Sequence, residues 1–242
     1  MKKFYFAFFI FMISFSFLLG ACTQKDNRTV VFETDFTSLQ SSTFFGTYGN
    51  VKELDSGIEL IKSKTSNVGP LTYFGTKTRN VNWVDRGLSV EATIDIDLEK
   101  YKTGDAFNLT VTLNNKDNQI LTGVSACFRK FDNGLRIGYS QESYEEDNFK
   151  ATEPVNESSQ LINKNGVYVL EISFYTNKDN IILYNISLKN EDDKKIFNIK
   201  AQPLKIDSEN VYVESVGGIR SFWLSYMTAE SVTLKKLRIT EN

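Results

Sequence analysis

The clearest pattern in the chain is the strict alternation of apolar and polar residues from Leu88 to Leu98. The apolar positions, all of one parity, are Leu88, Val90, Ala92, Ile94, Ile96 and Leu98. Because successive side chains of a β-strand point to opposite faces of its sheet, this alternation predicts one long strand. One face of that strand is expected to be buried, and the other is expected to contact water.

Shorter runs with a similar pattern follow one another from Thr29 onward, separated by clusters of Asn, Asp and Gly that favour turns. These runs cover residues 30–36, 58–62, 106–113, 120–131, 135–140, 166–175, 181–188, 195–200, 211–216, 219–227 and 232–239. Many short strands at this spacing are typical of an antiparallel sandwich or barrel. The sequence has three prolines, no linker-like stretch and no evident repeat, so we predict a single all-β domain over residues 29–242.

Two stretches depart from simple alternation. Apolar residues change parity within the last run, on either side of Lys235 and Lys236, which predicts a β-bulge at that pair. Residues 141–165 lack alternation and contain many polar residues, so we predict a long loop there. Loops of this length in compact domains are often functional.

The N-terminus has the layout of an export signal. Lys2 and Lys3 precede an apolar run that extends from Phe4 to Ala21 and stops at Cys22. The tetrapeptide Leu19-Gly20-Ala21-Cys22 resembles the lipobox of bacterial lipoproteins.

That resemblance implies that a signal peptide, residues 1–21, is cut before Cys22, and that Cys22 carries the lipid. Residues 22–28 would then form a short tether, and the domain would lie at the extracytoplasmic face of a cell membrane with the bilayer as its partner. An uncleaved transmembrane anchor and plain secretion are the alternatives.

The composition narrows the possible chemistry. The chain has no histidine and only two cysteines, so if Cys22 is acylated, Cys127 has no partner for an internal disulfide. We expect Cys127 to be a buried, apolar-like residue of a strand. The absence of histidine excludes Ser-His-Asp and Cys-His catalysis and histidine-ligated metals. Glycoside hydrolysis by paired carboxylates and Tyr/Lys/Arg-based elimination from uronic acids remain compatible with the residues present.

The charge of the chain gives no indication of a nucleic-acid partner. The sequence has 28 basic and 30 acidic residues. Without Lys2 and Lys3 of the signal the counts are 26 and 30, a net charge of −4. No basic stripe interleaved with aromatic residues is present, so nucleic acid is not an expected partner.

Three segments together resemble a known fold family. They are the opening Val31–Phe36, the long run Gly87–Leu98, and the closing Gly217–Trp223 followed by Val232–Ile239. The layout is similar to the concanavalin A-like lectin/glucanase group, in its laminin-G-like and jelly-roll forms. This resemblance implies an antiparallel β-sandwich in which the first and last strands are neighbours and two large sheets form a groove. Members of the group bind glycans, cleave glycans, bind proteins or are structural.

Asp95-Ile96-Asp97-Leu98-Glu99 is the candidate catalytic motif, because it resembles the Glu-x-Asp-x-Glu strand of laminarinase-type glycoside hydrolases. The resemblance implies Asp95 as nucleophile and Glu99 as general acid/base, with Asp97 between them. Alternate residues of a strand lie roughly 6–7 Å apart, within the range that carboxylate pairs of such enzymes span. The shorter Asp95 departs from the family pattern, and the solvated face of a strand is the alternative interpretation.

Four residues are candidates for sugar binding, because sugars stack on aromatic rings and are oriented by polar side chains. They are Trp83, Arg136, Tyr139 and Tyr144. The alternative interpretation is that the aromatic residues fill the core and that Arg136 pairs with Arg129 across an exposed hairpin.

No cofactor is expected, apart from a weakly indicated calcium site. Asn177, Asp179 and Asn180 offer clustered oxygens of the kind that hard cations prefer. Their spacing matches no standard calcium loop, and hairpin turns favour the same residues. The sequence thus predicts a lipid-anchored β-sandwich that binds a glycan without catalysis; a carboxylate-based glycoside hydrolase and a protein-binding adhesion or scaffold module are the alternatives.

Overall fold

The computed structural model describes residues 28–36, 45–48, 51–62, 71–74, 87–115, 120–145, 148–150, 161–205 and 216–241. These residues form two β-sheets, and every strand pairing described within them is antiparallel. A single 3₁₀ turn, Leu98–Lys100, interrupts the strands of the described part of the chain. The predicted all-β, antiparallel sandwich is therefore confirmed.

The described residues contribute sixteen strands, named here in chain order. They are β1 (Thr29–Thr34), β2 (Phe45–Tyr48), β3 (Val51–Leu54), β4 (Gly57–Ile61), β5 (Leu71–Phe74), β6 (Leu88–Ile96), β7 (Ala106–Asn115), β8 (Ile120–Phe131), β9 (Gly134–Glu145), β10 (Asn148–Lys150), β11 (Leu161–Ile162), β12 (Gly166–Thr176), β13 (Ile182–Asn190), β14 (Lys195–Pro203), β15 (Val216–Met227) and β16 (Ser231–Glu241). The first sheet has the order β14-β13-β12-β6-β16-β4-β3, with β1 also beside β16. The second has the order β10-β9-β8-β7-β15-β5-β2, with β11 also beside β9.

The core lies between the two sheets and is built from the alternate residues of each central strand that face the other sheet. On β6, the five apolar residues from Leu88 to Ile96 are each at most 2% exposed. They belong to one cluster with Phe107, Leu109 and Val111 of β7 in the second sheet. Full burial of each such side chain contributes about 1.5–3 kcal/mol to folding, so the apolar positions of the alternating pattern stabilise the sandwich.

The first and last strands are neighbours, as the family resemblance implied, and the predicted bulge is present. Leu234 pairs with Ile94 while Lys236 pairs with Thr93, so Lys235 is the additional residue. Strand β4 pairs with β16 before this bulge and β1 pairs with β16 after it, along the same edge. Because of the extra residue, the apolar side chains of β16 face the core both before and after the bulge, although their parity in the sequence changes.

Three sequence predictions differ from the structure. Strand β6 ends at Ile96 rather than Leu98, because Asp97 caps the 3₁₀ turn. Residues 141–145 extend β9, and β10 and β11 both pair with β9, so ten residues of the predicted 141–165 loop are in strands. Backbone pairing with a neighbouring strand overrides the weak side-chain pattern there. Strands β2, β3 and β5 were not predicted, and residues 211–215 of one predicted run lie outside the described residues.

Cys127 lies on β8 and is buried, with its Sγ 3.4 Å from Ser140 Oγ. This placement agrees with its expected structural role. Within the described part of the chain, no helix has the length and hydropathy needed to cross a membrane.

Replacement of Ile94 by Ala tests whether β6 supports the core. Ile94 is fully buried, so we expect Ile94→Ala to lower the free energy of unfolding by about 2–5 kcal/mol. Thr93→Ala, on the opposite face of the same strand, is the matched control and should change it by at most about 0.5 kcal/mol. Urea denaturation of residues 23–242 measures both, and equal effects of the two variants would contradict the assigned faces.

Gly57 tests the packing around the bulge. Its φ is +124°, and an added methyl group would collide with the carbonyl oxygen of Leu234. Gly57→Ala should therefore cost about 1–3 kcal/mol of stability. Gly104 also has a positive φ, of +93°, but no heavy atom lies within 4 Å of an added methyl group. If Gly104→Ala destabilised the fold as much as Gly57→Ala in thermal unfolding, crowding at the bulge would not be the cause.

Candidate functional site

The three candidate catalytic carboxylates do not share one strand. Asp95 lies on the outer face of β6, where an oxygen of its carboxylate is 2.9 Å from Lys235 Nζ. Asp97 caps the 3₁₀ turn: its Oδ1 accepts hydrogen bonds from the backbone N–H of Glu99 and from Asn165 Nδ2, both at 3.2 Å. Glu99 is exposed within the turn. The alignment that the hydrolase motif requires is therefore absent, because Asp97 ends the strand.

These carboxylates act electrostatically on a neighbouring phenol. Burial, and next the charges of Asp97 and Asp95, raise the pKa of Tyr101. Its ring stacks on Phe107, with ring centroids 5.7 Å apart. Tyr101 is therefore a neutral core residue that cannot act as a base near neutral pH.

Two of the four candidate sugar-binding residues, Arg136 and Tyr139, can be compared directly, and they have opposite parity on β9. Tyr139 is only 8% exposed, packs edge-to-face on Tyr184 with centroids 6.3 Å apart, and donates a hydrogen bond to Gln202 Oε1 at 3.4 Å. Tyr139 belongs to the buried core cluster, so its ring is not exposed for stacking on a sugar. Burial of Tyr184, together with Tyr139, raises the pKa of Tyr184 to about 12.

The remaining candidates lie on β9 or outside the described residues. Arg136 pairs directly with Arg129 in the hairpin, as the alternative interpretation predicted, and its guanidinium lies 4.5 Å from the centroid of the Phe131 ring. The backbone of Tyr144 pairs with that of Phe149. Trp83 and the acylation candidate Cys22 both lie outside the described residues.

The outer face of the second sheet carries hydroxyl groups, but they are closed to ligands. Thr110, Ser125 and Ser140 are each 0% exposed. Thr110 Oγ1 and Ser125 Oγ lie 2.6 Å apart, within hydrogen-bonding distance. Because these three residues have no accessible surface, their hydroxyl groups are not available to a ligand.

An open polar cavity lies instead on the outer face of the first sheet, across β12, β13 and β14. We call it the sheet-face groove; its volume is about 490 Å³. Its polar lining includes Ser173, Asn185, Ser187, Lys195, Asn198 and Lys200. None of these residues was predicted as a site residue from the sequence.

Strand pairing builds this groove. The apolar parity of β12, including Ile172 and Phe174, faces the core, so Ser173 faces outward. Ser173 pairs with Asn185 on β13, and Ser187 pairs with Asn198 on β14. Polar residues that are distant in sequence therefore form adjacent cross-strand rows.

Asn185 fixes the centre of the groove. Its Nδ2 donates a hydrogen bond to Ser173 Oγ at 3.1 Å, and its Oδ1 accepts one from the backbone N–H of Ala201 at 2.9 Å. Lys200 and Ala201 both lie opposite Asn185, because Tyr184 pairs with Gln202 and Ile186 pairs with Ile199. This bulge in an edge strand, with Ala201 at a φ of +54°, positions Lys200 beside the groove.

The groove has an excess of positive charge. Arg28 Nη1 lies 2.6 Å from Glu171 Oε1, and each side chain is 26% exposed. Lys195 and Lys200 are exposed at the same lining. Among the described lining residues there are three cations and one carboxylate, a net charge of +2, whereas the whole chain has a net charge of −2.

The predicted calcium ligands form a turn. Asn177 Oδ1 accepts hydrogen bonds from the backbone N–H groups of Asp179 and Ile181, both at 2.9 Å. Within the described ranges, no three His, Cys, Asp or Glu side chains come together as a potential metal site.

Comparison with solved structures establishes the fold of this chain. A PL-14 alginate lyase from Aplysia kurodai superposes with a TM-score of 0.54 and 11% identity, over 88% of this chain and 100% of the lyase. A protein of unknown function from Shewanella oneidensis MR-1 gives 0.51 at 11% identity, over 86% and 84%. An endo-β-1,4-glucuronan lyase from the fungus Trichoderma reesei gives 0.50 at 11% identity, over 88% and 96%. No protein-family model and no curated protein matches the chain. At these identities the likeness shows a shared jelly-roll-like β-sandwich.

Proposed function

We propose that this protein is a bacterial lipoprotein that is anchored by acylated Cys22 at the extracytoplasmic face of a membrane and binds a glycan without catalysis. The lipobox-like Leu19-Gly20-Ala21-Cys22 supports the anchor. The observation that carries the binding function is the open sheet-face groove, where amide, hydroxyl and ammonium groups converge on paired strands.

The groove offers the hydrogen-bonding groups that a sugar requires. Sugar hydroxyls both donate and accept, and the side chains of Asn198, Ser187 and Ser173 can do the same. A volume of about 490 Å³ is typical of ligand-binding cavities. Because Asn185 is held by two hydrogen bonds, the centre of the groove is organised before a ligand arrives.

The excess of positive charge favours an acidic glycan. Lys195 and Lys200 are exposed, and Glu171, the carboxylate among the described lining residues, is paired with Arg28. Two proteins of similar fold are an alginate lyase and a glucuronan lyase, so the same architecture serves proteins that act on these polymers. The proposal rests on the groove itself, since the likeness concerns the fold.

Binding without catalysis accounts for the groove better than hydrolysis does. Glycoside hydrolysis requires two carboxyl groups, about 5–5.5 Å apart for retention or about 6.5–9.5 Å apart for inversion. The described lining holds one carboxylate, that of Glu171, and this carboxylate already accepts a hydrogen bond from Arg28. Tyr175 also lines the groove, with Lys195 and Lys200, so elimination from a uronic acid is the chemistry that a binding experiment must control for.

Acylation is tested with two cysteine variants of the full-length chain. We expect Cys22→Ser to abolish incorporation of an alkyne-tagged fatty acid and to release the protein from the membrane fraction. Cys127→Ser is the matched control and should retain both labelling and membrane association, because Cys127 is buried within the sandwich. Equal labelling of the two variants, or no labelling of the wild type, would contradict the anchor.

Binding is tested by titration of residues 23–242 with alginate oligosaccharides and with a neutral β-glucan oligosaccharide. We expect alginate to bind more tightly, and the Lys195→Gln/Lys200→Gln variant to lose about fivefold to tenfold in affinity, equivalent to about 1–1.4 kcal/mol. Affinity should also fall as salt screens the lysine charges. Lys102→Gln, an exposed lysine outside the groove lining, is the control.

Three outcomes would count against this function. Equal affinity of the groove variant and the control would remove the groove from the binding site. Absence of binding to both oligosaccharides would contradict the proposal that the protein binds a glycan of either class. Accumulation of an unsaturated uronate product, seen by ultraviolet absorbance, would show that the protein cleaves the glycan and would contradict binding without catalysis.

A further inference from the structure

The two exposed large hydrophobic side chains among the described residues lie at the same end of the first sheet. Val30 is 45% exposed and Ile181 is 46% exposed. Val30 lies near the start of β1, and Ile181 lies between the end of β12 and the start of β13. Across the sheet, Val30 pairs with Thr240, Thr240 with Ser89, Ser89 with Ser173, and Ser173 with Asn185. Asn185 is the fourth residue after Ile181. We call this end of the sheet the tether end.

Ile181 is held at the tether end by a rigid turn, residues 177–181. Asn177 Oδ1 accepts the backbone N–H groups of Asp179 and Ile181, and the backbone N–H of Asn177 donates to the carbonyl oxygen of Ile181 at 3.0 Å. Asn180 adopts a φ of +59° to close the turn. An apolar residue is thus fixed in an exposed position, although an exposed isoleucine contributes little to folding.

The other end of β13 carries a turn of the same construction with different chemistry. In residues 190–194, Asn190 Oδ1 accepts the backbone N–H of Lys194 at 2.9 Å, and Asp193 has a φ of +58°. This turn holds three acidic residues, Glu191, Asp192 and Asp193, and ends in Lys194 where the first turn ends in Ile181. The two turns therefore share their backbone geometry and differ in the polarity of their side chains.

An acyl chain on Cys22 would be attached next to the tether end. Arg28 directly precedes β1, and its ion pair with Glu171 ties the start of the domain to β12. Arg28 is the sixth residue after Cys22 along the chain. A fully extended segment of that length spans at most about 20 Å, so an acylated Cys22 would keep the tether end close to the bilayer.

We propose that the tether end docks on the bilayer that holds the acyl chains, with Val30 and Ile181 inserted at the headgroup boundary. This proposal rests on the acylation of Cys22. Lys178, which is exposed in the same turn, would lie among the lipid headgroups, while the acidic turn at residues 190–194 would point away from the membrane. By register, Val30 shares its face of the sheet with Ser89 and Ser173, which line the sheet-face groove, so docking would hold the groove next to the membrane surface.

The experiment uses the acylated full-length protein in liposomes that contain spin-labelled lipid. A bimane fluorophore is attached to Ile181→Cys or, as the matched control in the opposite turn, to Asp192→Cys. Labelling of the wild type reports any reaction of the buried Cys127. We expect quenching at position 181 to exceed that at position 192 at least about threefold, because docked apolar residues lie about 5–10 Å into the headgroup boundary.

The outcomes separate the docking from the anchor. Equal quenching at the two positions, in a protein that sediments with the liposomes and loses this property with Cys22→Ser, would overturn docking and leave the anchor intact. Failure of the wild type to associate with liposomes would overturn both. Glycan binding is measured independently on residues 23–242, so its failure would be seen separately.

Discussion

Strand β6 buries one face in an apolar core and leaves the other in contact with polar surroundings, and the rest of the structure depends on this division. β6 lies between β12 and β16, and its inward side chains pack in one cluster with those of the second sheet. Because paired strands share parity, burial of one face of β6 also sets which residues of β12, β13 and β14 point outward. The core and the groove are therefore two consequences of one register.

The sequence predicts those features that depend on local alternation. Strand β8 has the predicted bounds, and the Lys235 bulge is visible as a change of parity. Features that depend on pairing between distant strands are harder to predict from the sequence. Residues 141–145 resemble a loop but extend β9, and Asp97 looks like a strand residue until its cap on the 3₁₀ turn is seen.

The candidate site shows the same limit more strongly. Ser173 and Asn185 each look like an ordinary polar residue on the wet side of a strand. Only the register places their side chains 3.1 Å apart, and only the bulge opposite Asn185 brings Lys200 to the groove. The available signal was weak: Asn185 and Ser187 interrupt an otherwise apolar run. Tyr139 is the opposite case: the sequence suggests a sugar-binding aromatic residue, but its side chain is part of the core.

The central claim is that the outward rows of β12, β13 and β14 form a binding surface for an acidic glycan. Hydrogen–deuterium exchange of residues 23–242, with and without alginate oligosaccharides, tests it most directly. The account predicts slower exchange in residues 169–175, 183–189 and 195–201, and no change in residues 106–113 of the second sheet. Slower exchange confined to the second sheet, or no change anywhere at saturating oligosaccharide, would contradict it.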